Sequence, residues 1–596
     1  MNRNNLRSAA VALAMVSLTG TFACKDFLDV EPISSTDTSF VFSSVSGATS
    51  AVIGAYDPLS GDSGYGQRLS SYYQVDTDDM RCSGEVDNGR RGIARYALTP
   101  GNTELLGPWN TLYTGVERAN VCIRNIRDSE LFKNGSAADK AAMGRLLGES
   151  LTLRAQYMYE LIRNWGDVPA PRLPAAATAD LKVSNEDRDM TYDLLLEDLR
   201  EAADLVPWRS ALGSGDERMT KGAVKALRAR IALARGGFAL RSDGQVRRGS
   251  NYQQYYTIAR QECSEIMQSG QHALNPNFEA LFRGLNELRI DNSEVLFEVA
   301  MAGGSAASDS KLGYYTGPRL DNGSRYGGSN PGLNVLPNYL YAFDSLDTRR
   351  DVSVTYYSVN AASRQQPVVL NVLTDGKFRR DWRAPLLTGS SQYLGINWPI
   401  IRYADVLLMF AEAQNELADP STPFNGKTAV QALEDVRRRA FRGNTGRIGT
   451  TPTTKTAFFD ALVNERYLEF GGEGVRKFDL IRWNMLGEKL SQARAEITSL
   501  RDRTGRYANY PTVLYWRQNG DLFQLYSPSA NSSALYRPAP ASAPAGYTSS
   551  VNWTSGIGAT YSTAVGESFI TGKSELLPIP QVAIDTNPNL RQNPKY

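Results

Sequence analysis

The chain contains 596 residues, of which 42% are hydrophobic, 21% charged and 10% aromatic. This is the composition of an ordinary globular protein, and it argues against global disorder, a collagen-like fibre and a multi-span membrane protein. The 65 Lys and Arg residues nearly balance the 63 Asp and Glu residues, so the chain lacks the excess positive charge on which sequence-independent binding to nucleic acid depends.

The N-terminus is typical of a targeting segment. Arg3 and Arg7 precede an apolar run over residues 9–18 that is too short to span a bilayer, and small residues follow as far as residue 23. Cys24 comes next, where bacterial lipoprotein signal peptides are cleaved and the exposed cysteine is acylated. We therefore predict a lipoprotein signal peptide over residues 1–23 and a lipid anchor at Cys24. The alternative is an ordinary secretory signal followed by a chance cysteine.

Histidine and cysteine are too scarce for most metal and imidazole chemistry. His272 is the single histidine, which excludes a two-histidine metal site and leaves one residue for any Ser-His-Asp arrangement. We predict that it is packed or at the surface, without a catalytic role. The other cysteines, Cys82, Cys122 and Cys263, form no CxxC pair with each other or with Cys24, which argues against a zinc ribbon or a dense disulfide framework.

Amphipathic helices account for most of the chain. Apolar residues at three- and four-residue steps predict a long helix over residues 141–163, ended by Gly166 and Pro169. The alanines of the predicted helix at 219–240 allow close approach of two helices, as paired-helix repeats require. The residues alone leave a degenerate repeat array and a generic helical core equally open. Further helices are predicted at 105–126, 190–206, 252–267, 403–417, 428–441 and 456–470.

Long polar segments rich in glycine and tyrosine separate these helices. They cover residues 56–97, 301–337 and 502–575, and loops of this length are usually functional or mobile. The last one contains a Pro-Ala-Pro-Ala-Ser-Ala-Pro-Ala-Gly run, which predicts irregular structure. Alternation in E-V-L-F-E-V-A predicts a short strand at 294–300.

Two groups of carboxylates suggest chemistry at first sight. The D-T-D-D stretch with Asp76, Asp78 and Asp79 lacks the glycine and distal glutamate of an EF-hand, so we expect a solvated acidic loop; a calcium site of another kind stays open. The block at 464–483 mixes carboxylates with arginines. We expect buried or half-buried ion pairs there instead of the two carboxyls across an open cleft that glycoside hydrolysis needs. No metal or cofactor is predicted.

Four ordered stretches resemble the motifs of one known family. Residues 144–169 read G-R-L-L-G-E-S-L-T-L-R-A-Q-Y-M-Y-E-L-I-R-N-W-G-D-V-P, and 401–416 read I-R-Y-A-D-V-L-L-M-F-A-E-A-Q-N-E. Residues 464–483 and 577–596 follow, with N-E-R-Y-L-E-F-G-G-E-G-V-R-K-F-D-L-I-R-W and L-P-I-P-Q-V-A-I-D-T-N-P-N-L-R-Q-N-P-K-Y. These stretches, with the C-K-D-F-L-D start at Cys24, are similar to the SusD/RagB family of nutrient-binding outer-membrane lipoproteins of Bacteroidetes.

The resemblance implies a fold and a role. It implies a mostly α fold in which tetratricopeptide-like helix pairs support long irregular loops and a few short strands, as a single domain over residues 24–596. It also implies a lid on a SusC-like TonB-dependent β-barrel transporter at the cell surface, which captures an oligosaccharide or polysaccharide and makes no covalent change to it. A peptide ligand is the alternative within the family, and a secreted glycoside hydrolase or a protein scaffold lies outside it.

Ligand-binding residues are predicted from chemistry, because the contacts of the family lie in variable loops. Sugars are recognised by aromatic faces together with a few polar side chains. The loops at 311–328 and 72–81 combine both residue types, and glycines in the first allow rings to present their faces. Trp109 and Trp165 belong to helical motifs and are expected in the core. The candidates are Tyr72, Tyr73, Asp79, Arg81, Tyr314, Tyr315, Asp321, Asn322, Arg325 and Tyr326.

Overall fold

The computed structural model describes residues 38–213, 217–527 and 533–596. The predicted signal peptide and Cys24 lie outside the described residues. Within them, no helix is both long enough and apolar enough to cross a membrane. Cys82, Cys122 and Cys263 are buried free thiols.

Helices form most of the regular structure. The α-helices are α1 (Thr38–Val41), α2 (Val45–Tyr56), α3 (Arg90–Ala94), α4 (Leu106–Asp128), α5 (Glu130–Asn134), α6 (Ala137–Trp165), α7 (Arg188–Leu205), α8 (Lys221–Arg235), α9 (Gln253–Gln268), α10 (Phe278–Asn286), α11 (Pro337–Leu340), α12 (Arg350–Ser353), α13 (Tyr403–Leu417), α14 (Ala429–Ala440), α15 (Lys455–Phe470), α16 (Arg476–Arg482), α17 (Leu486–Asp502), α18 (Ala559–Thr563) and α19 (Gln581–Thr586). A π-helical turn covers Arg68–Tyr72. Short 3₁₀ turns lie at Asp57–Leu59, Ala175–Ala177, Arg209–Ala211, Leu370–Val372, Arg380–Trp382, Thr445–Arg447, Gly505–Tyr507 and Ala534–Tyr536.

The longest helix, α6, shows why the predicted boundaries hold. It begins at a capping box, in which Ser136 and Asp139 satisfy each other's free backbone amides. It ends at Gly166, whose φ of 76° no ordinary side chain adopts easily. The helices predicted from apolar spacing are confirmed within a few residues, except that α8 ends at Arg235, five residues before the predicted end.

Successive helices pack against each other in pairs. Helix α4 packs on α6, α6 on α7, α7 on α8, α8 on α9, and α9 on α13, which also contacts α14 and α15. The alanines of α8 make close packing possible, since Ala223, Ala226, Ala229 and Ala232 are at most 2% exposed. This is a helix-pair scaffold, and the predicted fold class is confirmed.

Short strands tie the loops to this scaffold. They are β1 (Met80–Cys82), β2 (Ala239–Leu240), β3 (Val246–Arg247), β4 (Val295–Val299), β5 (Leu333–Val335), β6 (Val354–Thr355), β7 (Tyr357–Val359), β8 (Gln365–Pro367), β9 (Thr374–Asp375), β10 (Trp398–Arg402), β11 (Val513–Asn519), β12 (Leu522–Leu525) and β13 (Ser549–Asn552). All pair antiparallel: β1 with β5, β2 with β3, β4 with β10, β6 with β9, β7 with β8, and β11 with both β12 and β13. The strand predicted at 294–300 is confirmed as β4.

The last long segment differs from its prediction. Residues 502–575 were expected to be irregular, but they contain the three-stranded sheet of β11, β12 and β13. The sheet belongs to a second hydrophobic core that includes Tyr339, Trp483 and Trp553, beside the first core inside the helix pairs. Trp553 is fully buried, and burying it and its neighbours compensates for the poor strand propensity of the Pro- and Ser-rich stretches around it.

Candidate functional site

A two-stranded ladder brings the first two predicted loops together. Strand β1 pairs with β5, so that Arg81 lies opposite Asn334 and Cys82 opposite Leu333. The backbone amide of Ser83 continues the ladder by donating to the carbonyl oxygen of Gly332. Because both strands are anchored in buried positions, the chain segments that leave them at 83–91 and 311–332 share one surface.

Aromatic rings and an arginine form a platform on this surface. The rings of Tyr314 and Tyr315 meet edge to face with centroids 5.0 Å apart. The guanidinium carbon of Arg90 lies 5.6 Å from the centroid of Tyr315 and 5.2 Å from that of Tyr72 below it. The Tyr315 hydroxyl donates a 3.4 Å hydrogen bond to Oε1 of Gln392. We call Arg90, Tyr314, Tyr315, Gln392 and the neighbouring Tyr393 the tyrosine platform.

Lys311 anchors the start of the loop that carries Tyr314 and Tyr315. Its Nζ atom lies 2.6 Å from a carboxylate oxygen of Asp62 and 5.1 Å from the ring centroid of Tyr393. Its backbone amide donates to Gly66. Tyr314 packs in part against the helical core. The platform is therefore tied to the scaffold, and its three tyrosines are half-buried.

A buried arginine fixes the backbone around the platform. The Arg380 side chain is fully buried, and burial lowers the pKa of its guanidinium from the ordinary value. It donates hydrogen bonds to backbone carbonyls of two separate loops, at 326–328 and 387–391. These carbonyls belong to Tyr326 (2.6 Å), Gly328 (2.9 Å), Leu387 (2.6 Å), Gly389 (3.1 Å) and Ser391 (2.5 Å).

Four other predicted residues lie near the platform in the same loop. Arg325 donates 2.6 Å hydrogen bonds to the Tyr326 hydroxyl and to the carboxylate of Asp521. Asp321 accepts from the amide of Gly323, which makes a local turn. Asn322 lies against Gly328, so any side chain at position 328 would displace it. Arg325, Asp321 and Asn322 are exposed, and Tyr326 is joined to the platform loops through its carbonyl contact with Arg380.

The structure corrects the predictions for the earlier loop. Tyr73 is 1% exposed, donates to the carbonyl of Glu104 and packs edge to face on Trp165. Asp79 is buried beside Thr77. Tyr72 is 3% exposed and serves as the floor beneath Arg90. These three side chains offer almost no surface to a ligand, because the π-helical turn and β1 direct them into the protein. Arg81 is half-buried, 4.6 Å from the ring of Tyr561.

Sequence reasoning missed three members of the platform. Arg90 lies inside the predicted loop at 56–97, but nothing local distinguishes it from Arg91, which pairs with Asp87. Gln392 and Tyr393 belong to a segment that was not predicted as a loop at all. The sequence feature that could have marked this segment as a loop is the glycine on either side of it, at positions 389 and 395. Both glycines have positive φ in the structure.

The acidic stretch at 76–79 is buried, which overturns the expectation of a solvated loop. Asp78 makes a bidentate ion pair with Arg476, with oxygens 2.9 and 2.7 Å from the guanidinium. Asp76 is 1% exposed, neither oxygen accepts a well-formed hydrogen bond, and burial raises its pKa to about 7. Across the described ranges, no three His, Cys, Asp or Glu residues are grouped so that they could hold a metal ion.

The carboxylates of the block at 464–483 form buried ion pairs, as predicted. Glu469 lies within 3.1 Å of Arg349, Arg402 and Arg439. Burial would raise the pKa of Glu469, but these arginines outweigh it and hold the pKa at about 2. Arg466 is paired in the same way with Asp405 and Asp479. A general acid needs a raised pKa and an open cleft, so the residues of this block act as structural pairs.

His272 and the two helical tryptophans are in the protein interior. His272 is 6% exposed and packs against Gly222 at the start of α8, and burial lowers the pKa of its imidazole. Trp165 is fully buried and Trp109 is 6% exposed. Their predicted packing is confirmed.

An apolar groove lies at the surface of the helix-pair scaffold. It has a volume of about 510 Å³ and runs between α4, the segment 169–183 and α19. Trp109 and Tyr113 line it, and its rim carries large side chains that are 39% to 64% exposed, namely Leu173, Leu181, Val183 and Val582. The backbone amide of Gln581 at the start of α19 donates to the carbonyl oxygen of Pro100, which holds this wall of the groove against the segment before α4.

Comparison with known families gives two matches that together cover most of the chain. The model of the SusD family matches residues 293–596, and a model described as "Starch-binding associating with outer membrane" matches residues 26–233. SusD-like protein P25 of Formosa agariphila is 23% identical over 503 residues, which cover 78% of this chain and 88% of that protein. A SusD-like protein of Bacteroides ovatus is 25% identical over 65% of this chain and 67% of its own length.

Solved structures share the fold. A SusD homolog from Bacteroides thetaiotaomicron superposes with a TM-score of 0.74 at 22% identity, over 94% of this chain and 98% of the other. Surface glycan-binding protein A from the same organism, in complex with laminarihexaose, superposes with a TM-score of 0.61 at 20% identity, over 92% and 99%.

Proposed function

The chain belongs to the SusD family, and from this membership we propose that it is a cell-surface lipoprotein that binds an oligosaccharide or polysaccharide and passes it, chemically unchanged, to a SusC-like TonB-dependent outer-membrane transporter. The lipid anchor of this proposal is Cys24.

The tyrosine platform is the observation that carries the binding role. Tyrosine faces pack on the apolar face of a sugar ring, and the amide of Gln392 and the guanidinium of Arg90 can bond hydroxyls at its edge. Arg90 and Tyr315 also orient each other, so little side-chain entropy is lost when a ligand arrives. A half-exposed surface of this kind suits a chain-like ligand that extends beyond the protein.

The names of relatives support a glycan over a peptide. One structural neighbour is a laminarin-binding SusD-like protein, and another holds laminarihexaose. The platform itself would accept either class, since tyrosines also pack on peptides and Arg90 would attract an acidic side chain. A peptide ligand is therefore the second candidate, and the binding experiment includes it.

The carboxylates of the block at 464–483 support a binding role without catalysis. Glu469 and its neighbours in the 464–483 block are committed to arginines, and the platform presents aromatic, amide and guanidinium groups. A glycosidase needs two carboxyl groups across the bound sugar, one of them with a raised pKa.

The apolar groove supports a protein partner. Soluble proteins seldom expose clustered large apolar side chains unless another surface covers them. We assign this groove to the transporter, because its rim exposes Leu173, Leu181 and Val582, which a protein partner would cover. Leu181→Lys and Val582→Lys should reduce co-purification with the co-expressed transporter. Ile53→Lys is the control, on an equally exposed side chain of α2.

A binding screen tests the proposed function. The soluble form that begins after Cys24 is titrated calorimetrically with plant, host-mucin and microbial polysaccharides and with a peptide mixture, and reducing ends are measured in parallel. We expect saturable binding to at least one polysaccharide without new reducing ends. Binding to peptides alone would replace the glycan by a peptide, and reducing ends that increase in proportion to pure protein would refute the non-enzymatic role.

A further inference from the structure

A second concave site lies beside the platform loops, between the β11–β12 hairpin and the segment 345–357. It has a volume of about 520 Å³, inside the range of roughly 300–1,000 Å³ that small-molecule sites occupy. We call it the hairpin cleft. Its walls include Tyr356, Tyr357, Leu522, Phe523 and Asp351, and none of them belongs to the platform.

Three half-buried rings line the cleft. Phe523 meets Tyr356 edge to face, with centroids 5.9 Å apart, and Tyr357 at a 47° tilt and 6.3 Å. The Tyr357 hydroxyl is held by Asp381. Because the rings brace each other at fixed angles, they are pre-organised to pack against a flat apolar face.

The carboxylate of Asp351 provides hydrogen-bond acceptors in the cleft. Arg350 is buried and holds both oxygens of Asp351 at 2.8 Å, while the Asp351 side chain stays 52% exposed. The Tyr356 hydroxyl lies 3.4 Å from the same carboxylate. Gln365 and Gln524 are also among the residues that line the cleft. Rigid acceptors and donors around aromatic faces are what recognition of a polyhydroxylated ring requires.

The cleft is joined to the platform loops by direct contacts. Asp521, in the turn of the hairpin, pairs with Arg325, and its carbonyl accepts from Gln365. Arg325 in turn bonds Tyr326, whose carbonyl is held by Arg380. These contacts join the hairpin to the loop that carries the platform.

We propose that the hairpin cleft is a second saccharide subsite, which binds a later part of the same glycan chain that rests on the tyrosine platform. The proposal rests on the proposed function, because it supposes a glycan ligand. Its consequence is selection by length: a glycan that reaches both surfaces binds through both, and a short one binds through the platform alone. Once one part of the glycan is bound to the platform, the rest of the same chain is at high effective concentration near the cleft, so binding at the second surface strengthens the overall affinity.

Calorimetry with oligosaccharides of increasing length tests this subsite. Laminari-oligosaccharides of two to eight units are used first, followed by those prepared from the polysaccharide that binds in the screen. We expect Phe523→Ala to weaken binding of the longest oligosaccharides by about tenfold and to leave binding of the shortest unchanged. Tyr315→Ala should weaken both. Tyr547→Ala is the matched control, since this ring belongs to the same region of sheet but lies outside the cleft.

The outcomes separate the subsite from the proposed function. If the wild type binds long and short glycans and Phe523→Ala changes neither, the subsite is refuted and the proposed function stands. If the wild type binds no glycan, both fail. Should Phe523→Ala lower the melting temperature, Asp351→Asn replaces it, because this carboxylate lines the cleft and is 52% exposed. Crystals soaked with the longest oligosaccharide should show a sugar ring against Phe523, and an empty cleft beside an occupied platform would also refute the subsite.

Discussion

The guanidinium of Arg380 donates a 2.6 Å hydrogen bond to the carbonyl oxygen of Tyr326. The same group bonds carbonyls of the loop at 387–391, so one side chain joins two loops that the backbone hydrogen bond from Gly328 to Gly389 also connects. Arg380 therefore positions the platform and does not itself face a ligand.

Replacing Arg380 should weaken ligand binding through the loops. Arg380→Ala leaves the buried carbonyl of Gly328 without this donor, at a cost of about 1–3 kcal/mol before relaxation, and also removes the bonds to the half-buried carbonyls of Tyr326 and Leu387. We expect a clear fall in melting temperature and at least tenfold weaker glycan binding, and Arg380→Lys should recover only part of both because it offers fewer directed donors. Thermal unfolding and calorimetry measure the two effects. The control is Arg364→Lys on an exposed arginine. Unchanged binding in Arg380→Ala would refute the positioning role.

Glu469 should be essential for stability and irrelevant to chemistry. Glu469→Gln removes the negative charge from among three buried arginines, and breaking a buried pair in this way costs about 3–5 kcal/mol. Because the pKa of Glu469 is lowered to about 2, its stabilisation is present above the unfolded pKa and is lost only as the pH falls towards 2. Urea unfolding at pH 7 measures the loss. Glu434→Gln, in a surface pair with Arg438, should change stability by less than about 1 kcal/mol. Equal effects in both would contradict the buried-pair account.

Glu298 should make the protein less stable at alkaline pH. Burial raises the pKa of this β4 carboxyl to about 7, Glu217 and Asp291 raise it further, and a hydrogen bond from Asn397 opposes them. Since the folded pKa exceeds the unfolded one, its stabilisation is complete below about pH 4 and is lost as the pH rises through 7. Glu298→Gln should therefore exceed the wild type in melting temperature at pH 8 and match it near pH 4. Glu488→Gln, an exposed carboxyl, should show no such crossover.

Cys24 should decide where the protein is found. Cys24→Ala removes the acylation site predicted from the sequence, and each buried CH₂ of an acyl chain contributes about 0.8 kcal/mol to membrane binding. Fractionation of cells should move the variant from the membrane to the soluble fraction. Cys122→Ala, at a buried thiol of α4, should stay with the membrane. Membrane association unaffected by Cys24→Ala would remove the anchor.

Periodicity predicted the scaffold and could not predict the site. The helix at 403–417 follows from apolar spacing alone, because one buried face is enough to define it. The platform depends on contacts such as Arg90 with Tyr315, which are distant in sequence and are set by the β1–β5 ladder. Tyr72 and Tyr73 are the opposite case, in which composition predicted a ligand-binding role that the structure does not support. They belong to a tyrosine-rich loop, but the backbone directs both side chains into the protein. The hairpin of β11 and β12 was missed because its neighbours are rich in Pro and Ser.

Titration of one glycan into three proteins tests the central claim most directly. The wild type, Tyr315→Ala and Tyr315→Phe are compared by calorimetry with the polysaccharide that binds best, after each variant has been shown to melt like the wild type. We predict that Tyr315→Ala loses at least tenfold in affinity and that Tyr315→Phe, which keeps the ring but not the bond to Gln392, loses only about threefold. Wild-type affinity in Tyr315→Ala would contradict the assignment of the tyrosine platform as the ligand-binding face.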